Sequence, residues 1–200
     1  MAAPHPWLKP ALLVGGVFPG AVICVRAVTG TLAADPIAEA LTRVGRLALV
    51  FLLASLACTP LRRLFAWTWP ARVRRTLGLF AFSYALFHVT VWAVFDRLLD
   101  VRAIAEDLTE RPFIIAGALA FSLLVPLAVT STDRMVRRLG FQRWQALHRL
   151  AYGAAALGCL HFWWRVKADV TGPAVYAAVF GAPMVLRLLP SGRRRVERAR

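Results

Sequence analysis

Acidic residues are scarce in this chain: 10 Asp and Glu stand against 25 Lys and Arg in 200 residues, a formal net charge of +15. Such a basic balance raises nucleic acid as a partner. The distribution argues against it, because the basic residues fall in short stretches between apolar runs, where they carry topology information for a membrane protein. Excess Arg also favours anionic lipid headgroups. Cysteine is scarce too. Cys24, Cys58 and Cys159 each lie inside an apolar run, with no CxxC and no Cys/His cluster. That spacing implies no disulfide framework, and the three read as small buried apolar residues. Room for a soluble domain is also lacking. Hydrophobic residues make up 59% of the chain and mean hydropathy is +0.60, whereas soluble domains run nearer about 45–50% apolar. A helix crosses the hydrocarbon with about 20 apolar residues, so six spans and short loops use up the sequence. Chemistry that needs a large domain must come from a partner.

Six apolar segments are readable: about Ala11–Val25, Leu47–Leu61, Leu77–Phe95, from after Arg111-Pro112 to Val129, Leu147–Trp164, and Pro173–Leu189. The expected fold is an all-α, six-helix transmembrane bundle over residues 11–190, with an N-terminal tail (1–10) and a basic tail (191–200). Lys9 ahead of the first apolar run resembles a signal peptide. The length of the run and the charge pattern favour a retained span. Arg62, Arg63, Arg72, Arg74 and Arg75 follow the second segment, Arg134, Arg137, Arg138 and Arg143 follow the fourth, and Arg193, Arg194, Arg195, Arg198 and Arg200 follow the sixth. With Lys9 they put both termini and these two loops in the cytoplasm. The opposite connections are acidic or balanced: Asp35 and Glu39 lie in one, and Asp96, Asp100, Glu106, Asp107 and Glu110 with three Arg in the other. Trp67, Trp69, Trp92, Trp144, Trp163 and Trp164 lie near span ends, as an interfacial aromatic belt requires.

Histidine is rare and oddly placed. His5 sits in the Pro-flanked tail, but His88, His148 and His161 fall in the apolar segments. An ionisable ring inside a bilayer is costly and marks function. Imidazole is also the commonest protein ligand for metals, haem iron included. His88 lies eleven residues beyond Leu77, about 16 Å into its span at about 1.5 Å per residue. His161 lies thirteen residues beyond His148, about 20 Å further out. His88 and His161 therefore reach similar depths, while His148 lies near the cytoplasmic face. Two rings at one level on neighbouring helices can grip a haem iron from both sides, a site suited to electron transfer because no coordination position stays open. His148 would suit a second redox centre. Its partner is missing, and on a regular helix it would point about 140° away from His161. The bland alternative is that each ring is a hydrogen-bonded packing residue. Arg46 is a candidate partner for a haem propionate, since guanidinium forks suit carboxylates. Arg74 and Arg75 read first as topology-setting, snorkelling residues.

Several blocks in order carry a resemblance: Leu32-Ala33-Ala34-Asp35-Pro36, Gly45-Arg46, Arg74-Arg75-Thr76-Leu77-Gly78, Tyr84-Ala85-Leu86-Phe87-His88, Thr109-Glu110-Arg111-Pro112-Phe113, Thr130-Ser131-Thr132, Trp144-Gln145-Ala146-Leu147-His148-Arg149-Leu150-Ala151-Tyr152, and His161-Phe162-Trp163-Trp164. In these, over about Leu32–Lys167, the chain resembles the MsrQ (YedZ) family of the ferric-reductase-like transmembrane group. The resemblance implies a bacterial inner-membrane subunit that binds b-type haem (one or two) through His88, His148 and His161. It also implies association with FMN, though no Gly-rich phosphate loop locates the flavin. It further implies electron passage from the quinone pool to a periplasmic molybdopterin subunit, MsrP, that reduces methionine sulfoxide. No catalytic residue of its own is expected. The alternatives are a ferric or cupric reductase-like cytochrome with another acceptor, and a haem-free transporter or assembly factor using the histidines as proton relays. The acidic stretch from Asp96 to Glu110 is a candidate docking loop.

Overall fold

A computed structural model describes residues 7–166 and 168–188, so His5, the basic 191–200 tail and most of the N-terminal tail lie outside the described residues. The described chain folds into α1 (Leu8–Val28), α2 (Pro36–Phe65), α3 (Trp69–Thr90, continued by a π-helical stretch Val91–Asp96), α4 (Val101–Glu110), α5 (Pro112–Val129), α6 (Asp133–Leu139), α7 (Phe141–Leu147), α8 (Leu150–Arg165) and α9 (Thr171–Leu188). Among the described residues, four helices are long and apolar enough to cross a membrane: Leu8–Val28, Pro36–Phe65, Trp69–Asp96 and Pro112–Val129. The expected fifth and sixth segments are also helical. The fifth, α8, has only 16 residues.

The largest departure from the sequence expectation is α2. Its 30 residues begin eleven positions before Leu47. Asp35 caps it, accepting from the Ala38 N–H at 2.9 Å, and Pro36 occupies the first turn, where its missing N–H costs nothing. Hydropathy hides this start because Glu39, Thr42, Arg43 and Arg46 interrupt the apolar pattern. The fold answers part of that charge: the Glu39 carboxylate pairs with both Arg26 and Arg43. Glu39 therefore belongs to a helix and not to the loop.

Two helix pairs form the heart of the bundle, α2 with α3 and α5 with α8. Leu49, Leu52, Leu53 and Leu56 of α2 meet Ala81 of α3, Leu124 and Leu127 of α5, and Ala154, Ala155, Cys159 and Phe162 of α8. Ala81, Ala154 and Ala155 are essentially inaccessible, and such small residues allow the close backbone approach that membrane helices use. Large apolar side chains cover the outside, among them Leu13, Val17, Phe18, Leu86, Leu119 and Val125. Water would penalise this surface and lipid does not. The three cysteines are unbridged; Cys58 and Cys159 are buried as expected, whereas Cys24 is exposed on α1. Helix α1 is held to α3 by the Tyr84 hydroxyl, which donates to the Gly16 carbonyl at 2.6 Å and accepts from the Gly20 N–H at 2.9 Å.

The stretch from Asp96 to Glu110 is mostly helix, and its acids are largely used internally. Asp107, 5% exposed, accepts from Arg97 and Arg111. Asp96 also pairs with Arg97, Asp100 caps α4, and Glu106 pairs with Arg102. Arg74 and Arg75 are structural ties as well. Arg74 donates to Thr59 Oγ1, and Arg75 donates to the Ser131 carbonyl and pairs with Asp133. That pairing, an Arg75 hydrogen bond first, holds the Asp133 carboxyl below its ordinary range.

Candidate functional site

His88 lies near the end of α3 and His161 near the end of α8. Their ring centres are 6.1 Å apart with planes at 85°. The shared level expected from residue counting is therefore present. Both rings are held in the same way. His88 Nδ1 bonds the Leu41 carbonyl of α2 at 3.0 Å, and His161 Nδ1 bonds the Phe113 carbonyl of α5 at 2.6 Å. A carbonyl can only accept, so each Nδ1 carries the proton and each Nε2 carries the lone pair. Metal-binding imidazoles are commonly oriented this way.

Sequence reasoning missed how the neighbouring helices make room. Four residues after Leu41 stands Gly45, and four after Phe113 stands Gly117. A Cβ on Gly45 would lie 3.0 Å from His88 Nδ1, and one on Gly117 would lie 2.8 Å from His161 Nδ1. In a helix the N–H of residue i+4 also addresses the carbonyl of residue i. The imidazole thus approaches a carbonyl beside the one residue type whose lack of Cβ admits the ring. The arrangement occurs twice, in α2–α3 and in α5–α8. The signal available in sequence was a helical glycine four residues after a partner carbonyl in each of two spans, but its meaning depends on knowing which helices pair.

The donor set decides what could sit between the rings. Among the described residues no three His, Cys, Asp or Glu converge, so a bare metal ion has no protein cage. An iron that brings four donors of its own needs only two axial nitrogens. With metal–imidazole bonds of about 2.0–2.1 Å, two opposed imidazoles have ring centres about 6 Å apart, which matches the observed pair. The residues present fit a haem.

His148 is different. It lies in the turn between α7 and α8, where a regular fifth span from Leu147 was expected. The helix-wheel angle between His148 and His161 therefore does not apply. Its ring stacks on Trp144 at 4.0 Å, and its Nε2 contacts Thr130 Oγ1 at 3.1 Å. Thr130 has one hydroxyl hydrogen and already donates it to the Pro126 carbonyl at 2.6 Å. Nε2 of His148 must therefore be the donor, leaving its lone pair on Nδ1. This is the opposite tautomer to that of His88 and His161. Burial first, then the Arg74 and Arg75 guanidiniums, push its pKa down to about 4, so the ring is neutral near pH 7.

Arg46, the sequence candidate for a propionate partner, lies close to the His161 end of α8. It follows Gly45, and its guanidinium carbon lies 5.7 Å from the centre of the Phe162 ring, next to His161. Arg165, four residues beyond His161, went unremarked in sequence. It donates to Thr42 Oγ1 at 2.9 Å.

The sequence matches the family of the ferric reductase like transmembrane component over residues 42–159, a range that includes His88 and His148 and ends just before His161. It is also similar to curated relatives along most of its length. One from Deinococcus radiodurans is 46% identical, over 92% of this chain and 91% of that protein. Another from Rhodospirillum rubrum is 50% identical, over 92% and 89%. A third from Bordetella pertussis is 43% identical, over 94% and 92%. Each is named as the heme-binding subunit MsrQ of a protein-methionine-sulfoxide reductase. With matched imidazoles, the helical architecture and this similarity along nearly the whole sequence, the chain belongs to the MsrQ family of ferric-reductase-like membrane proteins.

Proposed function

We propose that this protein is a membrane b-type cytochrome that passes electrons to a separate methionine-sulfoxide reductase subunit, with His88 and His161 as the axial ligands of its haem. The observation that carries this reading is the pair of rings 6.1 Å apart, each presenting Nε2 because its Nδ1 is bonded to a backbone carbonyl. A haem held by His88 and His161 would supply one-electron chemistry, with imidazole from this chain on both sides of its iron. The protein's part is to fix the rings. Leu41 and Phe113 set the tautomer, Gly45 and Gly117 admit the rings, and the aliphatic core excludes water. Rings held by two packed helix pairs move little, which lowers the reorganisation that electron transfer requires.

The reading extends to a six-span bundle in the bacterial inner membrane with both termini cytoplasmic. Electrons enter from the quinol side and leave toward a periplasmic MsrP-like molybdopterin subunit. The FMN association implied by the resemblance enters without an assigned residue. His148 is a second candidate ligand, and coordination through its Nε2 requires release of the Thr130 bond. Purified protein should contain haem whose Soret and α bands sharpen on dithionite addition. His88→Ala and His161→Ala should each abolish this haem while the chain still inserts, and His148→Ala should spare it. A colourless pure preparation overturns the proposal, and haem loss confined to His148→Ala overturns the ligand pairing.

A further inference from the structure

Three donor groups around the His88–His161 pair lack the acceptor that their chemistry calls for. Arg165 is half-buried one helical turn beyond His161. Its one side-chain hydrogen bond among the described residues goes to neutral Thr42, beside the Leu41 whose carbonyl holds His88. Arg46 follows the Gly45 that admits the His88 ring, and it lies over Phe162, beside His161. Among the described residues neither guanidinium pairs with a carboxylate. Glu39, which lines the same open pocket as Arg46, is taken by Arg26 and Arg43. The third group is Trp92, four residues beyond His88, whose indole N–H is buried without an acceptor. Buried donors are almost always satisfied, and two neighbouring guanidiniums repel unless an anion lies between them. Arg forks prefer carboxylates.

We infer that Arg46, Arg165 and the Trp92 N–H receive the two carboxylates of the bound tetrapyrrole, so that its acid edge faces the end of the bundle where α2 begins and α8 ends. This rests on the haem reading above. It makes the site selective for a tetrapyrrole diacid over an apolar analogue, and gives the cofactor one orientation of the several that two axial ligands alone would permit.

The test is Soret titration of the full-length apoprotein in detergent with haem b and with haem b dimethyl ester, which keeps iron and ring but removes both carboxylates. Wild type should prefer the free acid by about tenfold or more, the scale of a charge-assisted hydrogen bond. R46Q and R165Q should each weaken the free acid by about tenfold and leave ester binding unchanged, which also serves as the folding control. W92F should act in the same direction with smaller effect, and R165K should restore part of the preference. Equal binding of acid and ester by wild type overturns the inference, as does a variant that weakens both ligands equally. If wild type binds neither ligand, the haem reading itself fails, a result distinct from lost selectivity.

Discussion

Gly117→Ala sets two physical effects against each other. In an exposed helix interior, replacing Gly by Ala stabilises by about 0.8–1.0 kcal/mol. At Gly117 the new methyl carbon would stand 2.8 Å from His161 Nδ1, with further ring atoms at 3.1 and 3.3 Å. The ring cannot simply swing aside, because Nδ1 is bonded to Phe113 at 2.6 Å. Overpacking of this kind costs about 1–3 kcal/mol, and losing the hydrogen bond adds about 0.5–1.5 kcal/mol. The steric side wins, so the site loses about 1–3 kcal/mol net, and the ring loses the bond that fixes its tautomer. Haem-to-protein stoichiometry should fall several-fold, and the reduced α band should broaden. Gly45→Ala, with its nearest contact at 3.0 Å, should do the same less severely. Gly15→Ala, which meets nothing within 4 Å, is the control and should leave haem untouched. Full occupancy and an unshifted spectrum in Gly117→Ala would refute the idea that these glycines exist to admit the imidazoles.

If His88 and His161 both hold a ferric haem, the 85° angle between their ring planes would favour neither in-plane direction at the iron. The oxidised protein should then give a strongly anisotropic low-spin electron paramagnetic resonance signal, and an ordinary rhombic signal would refute ligation by this perpendicular pair. Asp107→Ala removes a carboxylate that is 5% exposed and holds both Arg97 and Arg111, leaving Arg97 only its longer contact to Asp96. Losing hydrogen bonds to a charged group costs about 1.5–3 kcal/mol, so the thermal unfolding midpoint in detergent should drop. An unchanged midpoint would show that α4 is not held by this cluster. The depressed His148 pKa of about 4 means that the unfolded chain takes up this proton first, at an ordinary imidazole pKa of about 6.5. Neutral His148 thus contributes full stability above about pH 6.5, and the contribution falls away as the pH drops toward 4. His148→Gln should flatten the pH–stability curve in that window, and an unaltered slope would contradict the buried, neutral assignment.

The sequence by itself determined that the chain is helical, that it is apolar enough to live in lipid, and that His88 and His161 reach one level. Those are one-dimensional properties: hydropathy sums along a segment, and depth follows from rise per residue. Even there, local charge misled. Glu39, Arg43 and Arg46 made the first half of α2 look like a loop, because a hydropathy window does not register that Arg26 from another helix answers Glu39. Likewise composition does not show that Asp107, in the middle of the acidic stretch, turns inward to Arg97 and Arg111. Tertiary structure alone decided which helices pair, and so why Gly45 and Gly117 matter: a missing Cβ means nothing until the ring that occupies its place is known. It also decided that His148 belongs to a turn, held by Thr130 in the opposite tautomer, because a hydrogen bond between residues eighteen apart leaves no trace in composition or period. Depth is written along the chain, but the tautomer of a ring is set by whatever the fold brings against it.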